Sequence, residues 1–337
     1  MLLALLSLQD PLAWVAVAAG LLAALWLALA IDWRWGEPVA AWHPVVWMGR
    51  YLGLCGQRLK AWPPAAAFVG GALAWCAGAA VVGGLAVGLQ WLVVDQWLRL
   101  DLTTWAWSWA WLAWAGLALL LAIVLKPMLA WRMLRSEVLA VEAALQTSLP
   151  DGRKRLSWLV SRATANLSDS EVRESAIESL AENLNDSVVA PIFWFVLLGL
   201  PGAAVYRFAN TADAMWGYRG EWEWAGKWAA RADDVLSWLP ARLTAGLIWL
   251  VAGDFRLAGL RREAGLTPSP NSGWPMAAMA LALGVALRKP GVYVLNQAGR
   301  APQAVDTVQA IVIASKVVLA LAVFALPATV LIAFGMG

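Results

Sequence analysis

Charge is scarce in this 337-residue chain: Lys, Arg, Asp and Glu make up 14% of it, while 61% is hydrophobic. Soluble domains typically carry about 25% charged residues, so the balance excludes an ordinary water-soluble protein and points to a polytopic membrane protein. Histidine is scarcer still. His43 stands alone, which rules out a multi-histidine metal site and any Ser-His-Asp triad that does not use His43 itself. The two cysteines, Cys55 and Cys76, match no metal-ligand spacing, and Cys76 lies in an apolar run, so neither a disulfide framework nor a redox motif is expected. A net charge of +3 is too small to suggest nucleic acid as a partner. No Walker-type phosphate loop is present. MLLALLS at the start has no basic region, so no cleavable signal peptide is expected.

What is abundant is apolar sequence and tryptophan, 25 residues against 4 Tyr and 7 Phe, many of them suited to an interfacial belt. A membrane span needs roughly 20 apolar residues. Segments 12–31, 65–94, 105–125 and 311–335 meet that standard, whereas 188–206, 236–253 and 274–287 are shorter or punctuated. The predicted fold is therefore an all-α polytopic integral membrane protein with about four full transmembrane helices. Short, broken or re-entrant helices surround a polar cavity on its cytoplasmic side, since irregular backbone survives at membrane depth only against protein or a cavity. Residues 1–337 read as one membrane domain in which 126–187 is a cytoplasmic insertion of amphipathic helices. Within it LPDGRKR (149–155) reads as a turn broken at Asp151-Gly152, and Ser168 with Glu171 forms a capping-box pattern.

Lys and Arg cluster in 32–64, 126–164 and 254–290, which places loops 32–64, 126–187 and 254–310 in the cytoplasm and both termini outside. Segment 207–235 is external if 188–206 and 236–253 both cross, and cytoplasmic if both dip and return.

Against this apolar background ESLAENLNDSVVAP (178–191) packs acids and amides at the threshold of an apolar run. Glu171, Glu174, Glu178 and Glu182 are spaced 3, 4 and 4 apart, which puts four carboxylates along one helical stripe. For Glu171 and Glu174 a solvated face is the ordinary reading. Glu178, Glu182, Asn183 and Asp186 approach the bilayer, where unpaired acids are expensive and tend to be functional. Oxygen ligands of this kind suit Mg²⁺, usually held by one or two carboxylates plus substrate phosphates. A second polar cluster holds Arg207, Asn210, Asp213, Tyr218 and Arg219. A third, TPSPNSGWPMAAM (267–279), has a fixed, non-helical backbone around Asn271. Arg50 suits either a phosphate or a positive-inside anchor. His43 is of the type that is more often structural than catalytic.

Five stretches carry a resemblance: GEPVAAWHPVVWMGR (36–50), ESLAENLNDSVVAPIFW (178–194), PGAAVYRFANTADAMWGYR (201–219), WAARADDVLSWLPARLTA (228–245) and PSPNSGWPMAAMALALGV (268–285). In this order they resemble the CobD/CbiB family of adenosylcobinamide-phosphate synthases, from about residue 30 to 295. The chain departs from that pattern in Glu37 and Ser187, and in Ala163 and Met276, where the family tends to carry carboxylates. The resemblance implies a ligase of the inner membrane with its active site facing the cytoplasm. It would join adenosylcobyric acid to an aminoalcohol phosphate such as (R)-1-aminopropan-2-yl phosphate, with ATP as co-substrate and Mg²⁺ as cofactor. It also implies roles. Glu178, Glu182 and Asp186 would hold the metal. Arg50, His43, Arg162, Arg207, Arg219 and Asn271 would bind phosphates or substrate. Asp213, Asn210, Asn183 and Tyr218 would serve catalysis. Corrinoid, aminoalcohol phosphate, the lipid bilayer and other cobalamin-assembly membrane proteins are the expected partners. The alternatives are a corrinoid-binding paralogue without turnover and, behind it, a transporter, which usually shows the inverted repeats absent here.

Overall fold

Long apolar stretches without helix breakers become long helices, and the structure, a computed structural model, is almost entirely helical. It describes residues 11–100, 109–218, 220–253 and 257–334. Among these, five helical segments are long and apolar enough to cross a membrane: Val15–Trp35, Pro64–Arg99, Trp109–Thr147 (interrupted between Leu125 and Trp131), Lys227–Ala252 and Ala304–Thr329. Four correspond to the predicted spans. The fifth was expected to be short, because KWAARADD (227–234) hid its first half from an apolar count, yet the helix runs through those residues.

The chain divides into two compact units. Unit 1 comprises 1–130, 190–236 and 322–337. Its elements are α1 (Pro11–Trp35), α2 (Pro44–Leu59), α3 (Pro64–Arg99), α4 (Trp109–Leu125), α8 (Ala190–Leu198), α9 (Leu200–Trp216) and the start of α10 (Lys227–Ala252). At 36 residues α3 spans about 54 Å, longer than the roughly 30 Å hydrocarbon core, so its ends reach beyond it. Exposed tryptophans fall at such ends: Trp35 closes α1, Trp42 precedes α2, Trp62 separates α2 from α3 and Trp109 opens α4. Apolar bodies with one N–H donor suit the membrane–water boundary. The expected break in 188–206 is real. Gly199, at φ +77°, separates α8 from α9, and a Cβ there would collide with the Gln90 amide. Gln90, buried within α3, accepts the Leu200 N–H at 2.7 Å and so satisfies a donor freed by the break.

Unit 2 comprises 131–189 and 237–321. It holds α5 (Trp131–Thr147), α6 (Leu149–Leu156), α7 (Asp169–Leu184), the rest of α10, α11 (Leu257–Ala264), α12 (Gly273–Leu283), a hairpin of β1 (Leu287–Lys289) and β2 (Tyr293–Leu295), and most of α13 (Ala304–Phe334). LPDGRKR is the helix α6 and not a turn. Ser148 caps it by accepting from Asp151 N, a proline in the first turn costs no hydrogen bond, and Arg153, Lys154 and Arg155 sit at the favourable C-terminal end. Ser168 and Glu171 do form a reciprocal capping box at the start of α7. Buried charge ties the unit together: Glu142 of α5 receives the Arg173 guanidinium of α7 at 3.0 Å and the Thr307 hydroxyl of α13 at 3.0 Å.

Candidate active site

Helix α7 brings the acids of the stripe into four different environments. Glu171 is spent on the capping box, and the backbone N–H and hydroxyl of Ser168 hold its pKa below the usual carboxylate range. Glu174 corrects the solvated-face expectation: it is 0% exposed, accepting the Arg288 backbone N–H at 2.9 Å and its guanidinium at 3.1 Å. The reason lies outside α7, because strand β1 covers this face. Burial raises Glu174 to about 7, against the opposing pull of Arg288.

One turn on, Glu178 takes the Arg162 guanidinium at 2.6 Å, and the same nitrogen reaches Ser175 Oγ at 2.6 Å. Burial pushes the Glu178 carboxyl up despite Arg162. Glu182, a further turn along, is half-buried.

Arg162, Glu178, Glu182 and Asn183 line one cleft with Ser175, Ser179, Met276, Lys289 and Tyr293, of about 150 Å³. Asn183 is oriented by donating to Ser179 O at 2.9 Å. The hairpin supplies the other wall. Lys289 and Tyr293 face each other across it, and Tyr293 donates to Met276 Sδ at 3.8 Å. Burial, reinforced by the charges of Glu178 and Glu182, raises the Tyr293 hydroxyl, which stays a donor at neutral pH. Two edges in this cluster are unmatched: Glu178 Oε1 and Arg162 Nη1 are buried without a hydrogen-bond partner.

Beyond the cleft, α7 relaxes into a π turn over Asn185–Val189. Such turns interrupt α-helices frequently at functional sites. Asn185 donates to Asp186 Oδ1 at 2.8 Å and accepts from Thr244 Oγ at 3.0 Å. Asp186 is not among the cleft's lining residues. No group of three His, Cys, Asp or Glu side chains gathers as a metal site among the described residues. With Glu178 engaged by Arg162 and Lys289 nearby, these acids do not fit as a self-sufficient Mg²⁺ centre.

A family model described as CobD/Cbib protein matches residues 25–322. The chain belongs to the CobD/CbiB family. It is 40% identical over 281 residues to the probable cobalamin biosynthesis protein CobD of Methanothermobacter thermautotrophicus, covering 81% of this chain and 86% of the relative. The probable cobalamin biosynthesis protein CobD of Thermococcus kodakarensis is 42% identical over 268 residues, 79% of this chain and 82% of the relative. The cobalamin biosynthesis protein CobD of Brucella anthropi is 35% identical over 309 residues, 84% and 89% of the two chains. No solved structure matches. Family membership gives this multi-pass membrane protein an enzymatic role in cobalamin biosynthesis.

The other residues nominated from the sequence lie elsewhere in this CobD/CbiB protein. In unit 2, Asn271 is buried and accepts from Arg242 at 3.2 Å, outside the cleft. The remainder belong to unit 1. Arg207 donates to Asn210 at 3.4 Å on α9, and Asp213 follows one turn later. Tyr218 and Arg50 are exposed, and Arg219 lies outside the described residues.

His43 has both ring nitrogens occupied: Nδ1 caps α2 by accepting from Val45 N at 3.2 Å, and Nε2 meets Glu37 at 2.9 Å. Glu37 in turn pairs with the buried Lys126 at 2.8 Å, beside Asp32 at 3.2 Å. This is the bonding of a structural histidine. A cavity of about 450 Å³ in the same unit is lined by apolar side chains such as Met48, Val81, Leu85 and Phe208, with no charged group.

Sequence reading missed the hairpin, and with it Lys289 and Tyr293. Lys289-Pro290-Gly291 followed by the β-favouring Val292-Tyr293-Val294 was the available signal.

Proposed function

We propose that this CobD/CbiB protein joins adenosylcobyric acid to an aminoalcohol phosphate, such as (R)-1-aminopropan-2-yl phosphate, at the expense of ATP, giving adenosylcobinamide phosphate. The observation that carries this reading is the unit 2 cleft, where a half-buried arginine, a lysine and two carboxylates converge in a member of a cobalamin-biosynthesis family. A carboxylate is a poor acyl donor. Phosphoryl transfer from ATP turns the corrinoid's propionate into an acyl phosphate; the amine adds to that carbonyl, phosphate departs and the nitrogen loses a proton. Phosphate-bearing substrates demand positioned positive charge, and in the cleft Arg162 and Lys289 offer it to one of them. Arg162 is held in place by Glu178 and Ser175, so its charge is preorganised. Mg²⁺ would come with the nucleotide, since it is commonly held by substrate phosphates and waters with few protein carboxylates.

The soluble, charged substrates favour a cleft facing the cytoplasm, in line with the basic residues of 126–164 and 254–290. Asp213, Asn210 and Tyr218 remain proposed catalytic residues in unit 1, each open to its own substitution.

A second reading is favoured by Met276, which lines the cleft at a position where the family pattern tends to carry a carboxylate. A member that binds corrinoid without turnover would result. Complementation separates the two. A bacterium lacking its own CobD/CbiB protein and fed cobyric acid should grow when given this chain, and Glu182→Ala should abolish growth at an unchanged membrane level of protein. Failure of the unaltered chain to rescue, with corrinoid still bound, would support the second reading.

A further inference from the structure

We propose that the unit 2 cleft is the seat of the aminoalcohol phosphate itself, a small zwitterion whose phosphate lies against Arg162 and Lys289 and whose ammonium faces Glu178 and Glu182. This rests on the ligation reading and assigns one of its three substrates to one place. Size makes the first cut. Pockets that bury drug-sized ligands run from about 300 Å³ upward, and this one is about 150 Å³. A nucleotide or a corrinoid exceeds it, whereas a three-carbon amine phosphate does not.

Charge makes the second cut. A bare phosphate would meet Arg162 and Lys289 but also two carboxylates, and a bare amine would meet the converse. Only a ligand carrying both signs complements both signs of the lining. The unmatched atoms make the third. Arg162 Nη2 and Glu178 Oε2 are joined at 2.6 Å, while Arg162 Nη1 and Glu178 Oε1 stay buried and unpaired. Arg162 thus keeps one buried nitrogen over, and Glu178, 5% exposed, keeps one buried oxygen with only the Tyr293 hydroxyl near its carboxylate. Buried polar groups left unsatisfied are costly, and a phosphate oxygen on Nη1 with an ammonium on Oε1 would satisfy both. Lys289, paired with Tyr293 across the hairpin, adds a second cation, while the Tyr293 hydroxyl lies against Glu178 and Glu182.

Titration calorimetry on the detergent-purified full chain, without ATP or corrinoid, tests this with three probes. The seat predicts that (R)-1-aminopropan-2-yl phosphate binds at least tenfold more tightly than 1-aminopropan-2-ol or inorganic phosphate. Lys289→Ala should weaken the amine phosphate tenfold or more. Glu182→Gln should weaken it while leaving inorganic phosphate unchanged. Lys289 is exposed and Glu182 half-buried, so neither variant removes a core contact. Equal binding of amine phosphate and inorganic phosphate, or wild-type binding by both variants, would overturn the seat. The complete reaction run alongside keeps the two claims apart. Product formed with an unchanged KM for amine phosphate in both variants would refute the seat and leave the ligation reading standing. Binding as predicted with no product would do the reverse.

Discussion

The Arg162–Glu178 pair is the residue on which most depends. A buried carboxylate stripped of its cation costs about 3–5 kcal/mol, whereas replacing both members with apolar residues of similar size is often neutral. Arg162→Met should therefore lower the thermal midpoint in detergent markedly, and Arg162→Met with Glu178→Met should recover most of the loss while remaining inactive. Equal destabilisation by the single and double replacements would contradict a buried pair. Glu174 adds a pH dependence. Its folded pKa, about 7, lies above its ordinary 4.5, so the folded state holds a proton that the unfolded chain releases. Stability from this group is present below pH 4.5 and falls as the pH rises toward 7. Glu178 shifts in the same direction and Glu171 in the opposite one. In Glu174→Gln the fall in melting temperature between pH 5 and 8 should be shallower; a slope equal to wild type would show that Glu174 does not titrate there. At this scale the acids were legible, because carboxylates are conspicuous beside an apolar run. Their partners were not. Arg288 and Lys289 arrive from more than a hundred residues away, and nothing in local spacing announces that Glu174 is covered.

Among the elements, the broken helix α8–α9 shows how a membrane chain accommodates irregular backbone. Gly199 turns the chain and Gln90 receives the Leu200 N–H, so no donor is left bare. Gln90→Leu should cost about 1–3 kcal/mol, the penalty for burying an unsatisfied polar group; an unchanged unfolding midpoint would show that the bond contributes nothing. Glycine and proline at 199–202 made the break visible in the sequence. The β1–β2 hairpin was not visible, since three-residue strands carry too little alternation to stand out. Asp151-Gly152 resembles a turn signal and so masks helix α6 in the sequence. Its Ser148 cap and the packing of Gly152, where a Cβ would come within 3.0 Å of Leu145 Cα, decide otherwise.

At the level of the whole molecule, apolar run length revealed four of the five long helices, and the fifth was concealed by its polar first half. Sidedness is the molecular property that the proposed chemistry constrains most, because the soluble aminoalcohol phosphate would reach the cleft from the cytoplasm. With Cys55 and Cys76 replaced by serine, a cysteine introduced by Lys154→Cys on exposed α6 should react with a membrane-impermeant maleimide in inverted vesicles and not in intact cells. Labelling in intact cells would place unit 2 on the wrong face. The central claim is the ligation itself. Purified protein would be supplied with adenosylcobyric acid, (R)-1-aminopropan-2-yl phosphate, ATP and Mg²⁺, and the products read by mass spectrometry. The account predicts adenosylcobinamide phosphate from the unaltered chain and none from Glu182→Ala; full product from that variant, or no product from a corrinoid-binding unaltered chain, would contradict it.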